Sequence, residues 1–403
     1  MSVIKVLYYS DCDFFAGSES MLANIFNSEL MARRIIPSFS FRNSAEYVDG
    51  LRKRVRRVPE LYPINLPLSQ ERNGRLGNLR HLFSPVIALI GFVKVIAVIR
   101  SVKPDLIHVN NGGFPGALSA RMATLSAKVM NIPVVMVVNN QAVPYKRLSR
   151  FLEFPLDALV SKSVHYFITG SNSASLQLRT VLGLRNDKVR VIHNGISLRE
   201  PDQAAGSYLA HLGIAKKPKV LFTCIARMEK RKGQHVLLEA VEKLSKVYSP
   251  NDFRLILEGE GPEQLSVLRD ILRMGIGNYI THITESGNVM NLLNAADVLV
   301  LPSTHNEDFP NVILEAMQLT KATVASSIAG IPEQIDPQIT GILVKPGDAN
   351  ALARALEYFI ANPGKSRTMG QAGKARFEQF FRAESSVLNY ASLYEEIIKD
   401  RLS

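Results

Sequence analysis

Val298-Leu299-Val300-Leu301-Pro302-Ser303, followed three residues later by Glu307-Asp308-Phe309-Pro310-Asn311-Val312-Ile313-Leu314-Glu315-Ala316-Met317, reads as a buried strand, a stop, a loop and a helix. Four apolar residues in a row suit a strand covered on both faces, as in a parallel sheet, and Pro302-Ser303 ends its pairing. Asp308 is placed to cap the helix and Pro310 suits its first turn, leaving Glu307 in the loop and Glu315 about one turn inside. Residues eight apart, at ~100° each, lie roughly 80° apart around the axis. The two carboxylates therefore reach different parts of one ligand, at the carboxyl end of a strand, where open α/β sheets bind.

The same strand-turn-helix order recurs upstream. Lys219-Val220-Leu221-Phe222 leads into Arg227-Met228-Glu229-Lys230-Arg231-Lys232-Gly233 and the helix signal Val236-Leu237-Leu238-Ala240. Within this loop Lys230 and Arg231 read as a solvated basic turn. Leu255-Ile256-Leu257-Glu258-Gly259-Glu260-Gly261-Pro262 is a strand ending in a glycine-rich turn, where Gly259 and Gly261 either admit a ligand close to the backbone or only turn the chain. Near the N-terminus, Lys5-Val6-Leu7-Tyr8 repeats the Lys-Val-Leu-aromatic opening of Lys219, and Ala16-Gly17-Ser18-Glu19 precedes a helical stretch from about Ser20 to Arg33. Two separate α/β units produce such a repeat, and 403 residues exceed what one core usually serves.

These segments, in this order, resemble the retaining nucleotide-sugar glycosyltransferases related to glycogen synthase, glycosyltransferase family 4. The Glu307 to Glu315 run is similar to that family's E-x7-E motif, Arg227 to Gly233 to its R-x4-K-G, and Glu258 to Pro262 to its G-x-G-P. Asp297, Gly330-Ile331-Pro332-Glu333 and Thr340-Gly341 through Gly347-Asp348 follow in the family's order. The resemblance implies a GT-B fold, two Rossmann-like α/β domains facing each other across a cleft. It implies an N-terminal acceptor-side domain, residues 1–197 joined by a last helix at about 384–403, and a donor domain, residues 198–383. Val191-Ile192-His193-Asn194-Gly195-Ile196 resembles the family's closing segment of the first domain, and Ser197 to Lys217 reads as linker and short helix.

The resemblance also distributes roles. Arg227 and Lys232 would neutralise the donor diphosphate, where departing charge builds up in the transition state. Glu315 would hold the ribose, and Glu307 with the backbone of Phe309, Pro310 and Asn311 the donor sugar. Gly17 in the first glycine loop, His108 in Lys103-Pro104-Asp105-Leu106-Ile107-His108, and Asn139 at the end of the strand Val134 to Val138 would face phosphate or acceptor. Asn139 stands where relatives commonly have histidine and cannot act as a base, and His108 reads more readily as a core or rim residue than as a site residue. Pro310 removes an amide that many relatives have as glycine, and Gln318 to Thr323 lacks the family's Gly and Pro, which predicts a shifted turn. Asp11-Cys12-Asp13 reads as loop, because a D-x-D pair serves a diphosphate through a cation, a charge Arg227 and Lys232 supply. No metal and no cofactor is expected.

Charge is uneven. Residues 1–200 hold 26 Lys and Arg against 13 Asp and Glu, a net +13, and the remainder 22 against 23, a net −1. Arg52, Lys53, Arg54, Arg56 and Arg57 are the densest cluster. Near an anionic leaflet each cation contributes ~1 kcal/mol, enough for reversible, salt-sensitive docking. Nucleic acid is disfavoured, since no binding motif accompanies the cluster and the chain has no Trp. Leu82 to Ile99 is the longest apolar stretch, but Lys94 inside it and the strand right after Pro104 favour a packed crossover helix, partly exposed to membrane, over a span. With no secretory signal and two distant cysteines, a cytoplasmic chain is expected, peripheral on the inner face of the membrane. The expected activity is transfer from a nucleotide sugar, UDP-linked, to a glycan or lipid-linked acceptor in polysaccharide, lipopolysaccharide, O-antigen, capsule or glycolipid synthesis. A sugar-nucleotide epimerase, a phosphorylase, or an inactive sugar-nucleotide-binding protein on the same fold remains open.

Overall fold

A computed structural model describes residues 3–12, 17–65, 80–284 and 287–402 of the protein. Asp13 and Ala16 lie outside the described residues. Contacts within the chain divide it into unit 1, Met1–Asn194 with Ala383–Ser403, and unit 2, Gly195–Arg382.

Among the described residues unit 1 holds seven strands: β1 (Ile4–Ser10), β2 (Ile35–Arg42), β3 (Glu60–Ile64), β4 (Leu106–Asn111), β5 (Val134–Val138), β6 (Tyr166–Thr169) and β7 (Val189–Val191). All pair parallel in the order β3-β2-β1-β4-β5-β6-β7. The chain steps one way along the sheet from β1 to β3 and the other way from β3 to β7. Right-handed crossovers then put the helices on opposite faces for the two directions. Val95, Ile99, Ala123, Val160 and Leu178 of the helices after β3 to β6 share one core, whereas Leu22, Phe26, Leu51 and Tyr394 share the other. The last helix, Ala383–Leu402, completes this second face, tied down by Arg34 to Glu395 at 2.8 Å and Arg190 to Glu396 at 2.9 Å.

Unit 2 continues with β8 (Val220–Ile225), β9 (Phe253–Glu258), β10 (Ile280–Ile283), β11 (Val298–Leu301), β12 (Ala322–Ser326) and β13 (Gly341–Val344). Its order, β10-β9-β8-β11-β12-β13, is again wholly parallel and reverses direction between β8 and β11. Strands covered on both faces need continuous apolar runs, and the β11 run Val298 to Leu301 is fully buried. The fold is thus α/β with two Rossmann-like units.

Several local expectations shift. The helix expected from Ser20 to Arg33 is Gly17–Asn27, then a separate turn Glu29–Ala32, because the Ser28 hydroxyl accepts from the Met31 amide and restarts the chain. The helix carrying Glu315 begins at Asn311 with Pro310, not Asp308, as its N-cap, and Asp308 is buried in the loop. Thr320 takes the left-handed conformation, φ 62°, in the turn where the family's glycine is missing. The apolar stretch forms the helix Arg80–Val102, with Val95 and Ile99 buried and Val86, Leu89 and Val93 exposed. Among the described residues no helix is long and apolar enough to cross a membrane. Cys12 and Cys224 are free, and burial pushes both thiols up to about 12.

Candidate functional site

The strand order of unit 2 decides where its chemistry gathers. At a switch point the loops after two neighbouring strands run to opposite faces and leave a crevice between them. Here those strands are β8 and β11, and their loops carry Arg227 to Gly233 and Ser303 to Glu307. The Thr304 amide donates to the Arg231 carbonyl at 2.7 Å, stitching the loops together.

Side chains then converge. Lys232 Nζ lies 2.6 Å from Glu307 Oε2, which also accepts from Ser303 Oγ at 2.9 Å, and both charged side chains are nearly buried, 13% and 9% exposed. Arg231 reaches within 4.0 Å of the same carboxylate oxygen while donating to Asn306 O at 2.9 Å and Glu229 Oε2 at 2.7 Å. Glu229 holds Arg227 as well, Nε to Oε1 at 3.2 Å, yet the Arg227 side chain stays more than half exposed. A charge-assisted donor held by buried partners is set in place before a ligand arrives. Three cations meet two carboxylates, so the loop keeps an excess positive charge.

The neighbouring elements hold this loop. Gly259 and Gly261 have φ of 134° and 153°, and a Cβ on either would fall within 2.5 Å of the Ala226 or Met228 carbonyl oxygen. The crowding that requires glycine is with the chain's own backbone, and Met228 and Glu260 are joined amide to carbonyl at 2.9 Å. Phe309 buries its ring against Phe381, centroids 5.6 Å apart, so its side chain is core. The Pro310 carbonyl accepts from Gln334 Nε2 at 3.1 Å, which anchors the start of the helix that includes Asn311. Glu315, one turn on, meets Arg199 NH1 at 3.2 Å, and Gln318 donates to the Arg199 carbonyl.

Sequence reasoning set Arg231 aside as solvated and passed over Glu229, Ser303 and Arg199. For Lys230, which is exposed, the solvated reading stands. Ser303 had entered only as a strand stop, and Arg199 lies 116 residues from its partner Glu315, with no local signal.

Unit 1 places its candidates differently. Gly17 opens the helix Gly17–Asn27. Asn139 Nδ2 donates to Asn110 Oδ1 at 2.8 Å and Asn111 O at 3.0 Å; Asn110 and Ser10 in turn donate to the fully buried Glu19. Nothing in the run Ala16-Gly17-Ser18-Glu19 marks Glu19 as a buried acceptor, because Asn110 is remote from it in the sequence. Among the described residues no three His, Cys, Asp or Glu are grouped so as to hold a metal ion.

His108 corrects an expectation. Only 1% exposed, it sits among Tyr8, Tyr390 and Tyr394, with Nδ1 2.6 Å from the Tyr394 hydroxyl, and is a core residue with no face for substrate. Burial pushes its pKa down to about 3. The native imidazole therefore stays neutral where the unfolded one, near 6.5, takes a proton. Stability from this group is complete above pH 6.5 and falls as pH drops towards 3, by ~1.4 kcal/mol per pH unit for one proton. At pH 5.0 the loss, relative to pH well above 6.5, is about 2 kcal/mol by the same linkage. Urea unfolding of the His108→Gln variant should show a shallower acid slope than the parent, by that one proton; equal slopes would contradict the buried neutral imidazole.

Residues 209–376 match the family described as glycosyl transferases group 1, and residues 49–200 match glycosyltransferase family 4. The N-acetyl-alpha-D-glucosaminyl L-malate synthase of Bacillus anthracis is 28% identical over 188 residues, 47% of this chain and 48% of that protein. The alpha-maltose-1-phosphate synthase of Mycolicibacterium smegmatis is 32% identical over 228 residues, 50% of this chain and 56% of the relative. The chain thus spans about half the length of the curated relatives it matches. In structure it is similar over 98% of its length to Anabaena HepE crystallised with UDP, TM-score 0.79 at 20% identity. A glycosyltransferase from Rickettsia africae superimposes over 99%, TM-score 0.80, also at 20% identity. With both segments matched and the two parallel-sheet units of that architecture in place, the chain belongs to the family 4, group 1 glycosyltransferases of GT-B fold.

Proposed function

We propose that the protein is a retaining glycosyltransferase that moves a sugar from a UDP-linked donor to a glycan or lipid-linked glycan, in the synthesis of a surface polysaccharide or glycolipid. The observation that carries this reading is the contact of Lys232 with Glu307 at the β8/β11 switch point, with Arg227 and Arg231 alongside. Arg227 and Lys232 serve the diphosphate, Glu315 the ribose, and Glu307 with the backbone from Phe309 to Asn311 the sugar. Anabaena HepE, similar in fold, was crystallised with UDP and with UDP-glucose, which favours uridine.

In the reaction the bond from the anomeric carbon to the diphosphate breaks while the acceptor oxygen bonds on the same face. The acceptor proton passes to the departing phosphate oxygen. That route needs no protein base, so Asn139 is no obstacle to it. Fixed cations that strengthen their hold as the leaving group gains charge lower the barrier, and this reading requires no metal.

Thermal melting against a panel of nucleotide sugars tests the reading. A donor at one hundred times its dissociation constant adds ~2.7 kcal/mol, and UDP alone should reproduce part of the shift. If no nucleotide or nucleotide sugar moves the melting point, or if a bound donor is epimerised without any acceptor, the assignment fails.

A further inference from the structure

The segment Val143 to Lys162 is built inside out. Its helices Leu148–Phe151 and Phe154–Ser163 bury charge and expose large apolar side chains. Asp157 is fully buried, met by Arg121 at 3.1 Å, by Arg150 and by the Tyr145 hydroxyl at 2.8 Å. Glu153 is held by the same two arginines, and the Arg150 guanidinium lies 4.3 Å over the Tyr145 ring. Outside, Leu148, Phe151, Leu152, Phe154 and Leu159 are 51% to 77% exposed, with the Phe151 and Phe154 rings stacked at 6.5 Å. An ordinary surface helix has the reverse pattern. The ion cluster fixes the apolar set as a rigid platform.

The surroundings state what covers it. The helices Arg80–Val102, Leu118–Val129 and Asn172–Leu182 lie on the same face of the unit 1 sheet, and none of the three contains an acidic residue. Exposed on this face are Val86, Leu89 and Val93 together with Lys94, Lys128, Lys146, Arg147 and Lys162. The carboxylates of these four helical segments are Glu153 and Asp157, both already paired with arginine. An apolar surface rimmed by cations of one sign fits an anionic lipid bilayer, where rings and leucines enter the boundary between headgroups and chains. The Arg52 to Arg57 cluster lies on the opposite sheet face, where Lys53 pairs with Asp49 and Arg57 with Glu29.

We infer that this face, led by Leu148, Phe151, Leu152 and Phe154 and flanked by Lys146 and Arg147, docks the protein on an anionic membrane surface. It gives the lipid-linked acceptor of the proposed function a place to be met. It is tested with empty vesicles, without donor or acceptor, so its failure is separate from failure of transfer.

The full chain is sedimented with phosphatidylglycerol-containing and pure phosphatidylcholine vesicles. Binding is expected to the anionic vesicles, at least tenfold weaker to the neutral ones, and weakened by salt. Phe151→Asp with Leu152→Asp should reduce it tenfold or more, and Lys146→Glu with Arg147→Glu comparably. Because the chain has no Trp, Phe151→Trp provides a single reporter whose emission should shift to the blue on binding. Binding unchanged in the aspartate variant, no binding to anionic vesicles, or an unshifted emission from the introduced indole would overturn the inference. So would a dimer, seen by light scattering, that the aspartate variant dissolves, since the face would then belong to a second copy.

Discussion

Replacing Lys232 by alanine is expected to lower kcat/KM for sugar transfer by two to three orders of magnitude with the fold intact. Its ammonium is held 2.6 Å from Glu307 with only 13% of the side chain exposed, so it neither searches for its position nor competes with much water. Deleting one preorganised donor of this kind costs ~3 to 4 kcal/mol in known cases. Most of the loss should fall in kcat, because the diphosphate carries more charge when leaving than when bound. The substitution also leaves the Glu307 side chain, 9% exposed, with the Ser303 hydroxyl and an arginine at 4.0 Å. Lys230→Ala, at an exposed position in the same loop, should stay within about twofold, as surface substitutions do. Steady-state kinetics on the two variants decides the matter: similar rates would mean that the loop's general charge, not the placement of Lys232, serves the donor.

That placement was only partly legible in the sequence. Continuous apolar runs such as Val134 to Val138 and Val298 to Leu301 announce buried parallel strands, because no other element buries both faces over so few residues. Strand order is another matter. Nothing local in Val220 or Val298 says that β8 and β11 are neighbours, yet that pairing brings Lys232 to Glu307 across 75 residues. The resemblance to a family supplied what local pattern could not. Where the chain departs from family or pattern, reading failed: Arg231 looked like another surface cation because, beside the adjacent Glu229, its partners Asn306 and Glu307 are remote. The segment 148–163 was passed over for a similar reason. Arg150 and Asp157 face in while Leu148, Phe151, Leu152, Phe154 and Leu159 face out, so periodicity alone would assign the wrong face.

Gly233→Ala should be among the most damaging single changes in unit 2, for a reason that joins stability to the site. Gly233 has φ 72°, where it ends the turn Lys230–Lys232 and begins the helix Gln234–Ser245. A Cβ there would lie 2.0 Å from the Pro302 carbonyl oxygen and 2.9 Å from its carbon. Pro302 ends β11, and the Thr304 amide is bonded to Arg231 at 2.7 Å, so neither side can yield alone. Relief requires the loops carrying Lys232 and Glu307 to separate. The left-handed backbone costs ~1 to 2 kcal/mol with a side chain, and overpacking adds ~1 to 3. At 2 to 4 °C per kcal/mol for a unit of this size, melting should fall by roughly 4 to 20 °C. Gly213→Ala separates the two causes, since Gly213 has nearly the same φ, 73°, but nothing within 4 Å of its added Cβ. It should show the backbone term alone. A displacement near 1 Å in catalytic placement costs ~10²-fold in rate, so Gly233→Ala should also lose transfer well below its melting temperature, while Gly213→Ala keeps it. If both variants melt together and turn over alike, the two loops do not depend on contact at Gly233, and the account of how the fold brings Lys232 to Glu307 is wrong.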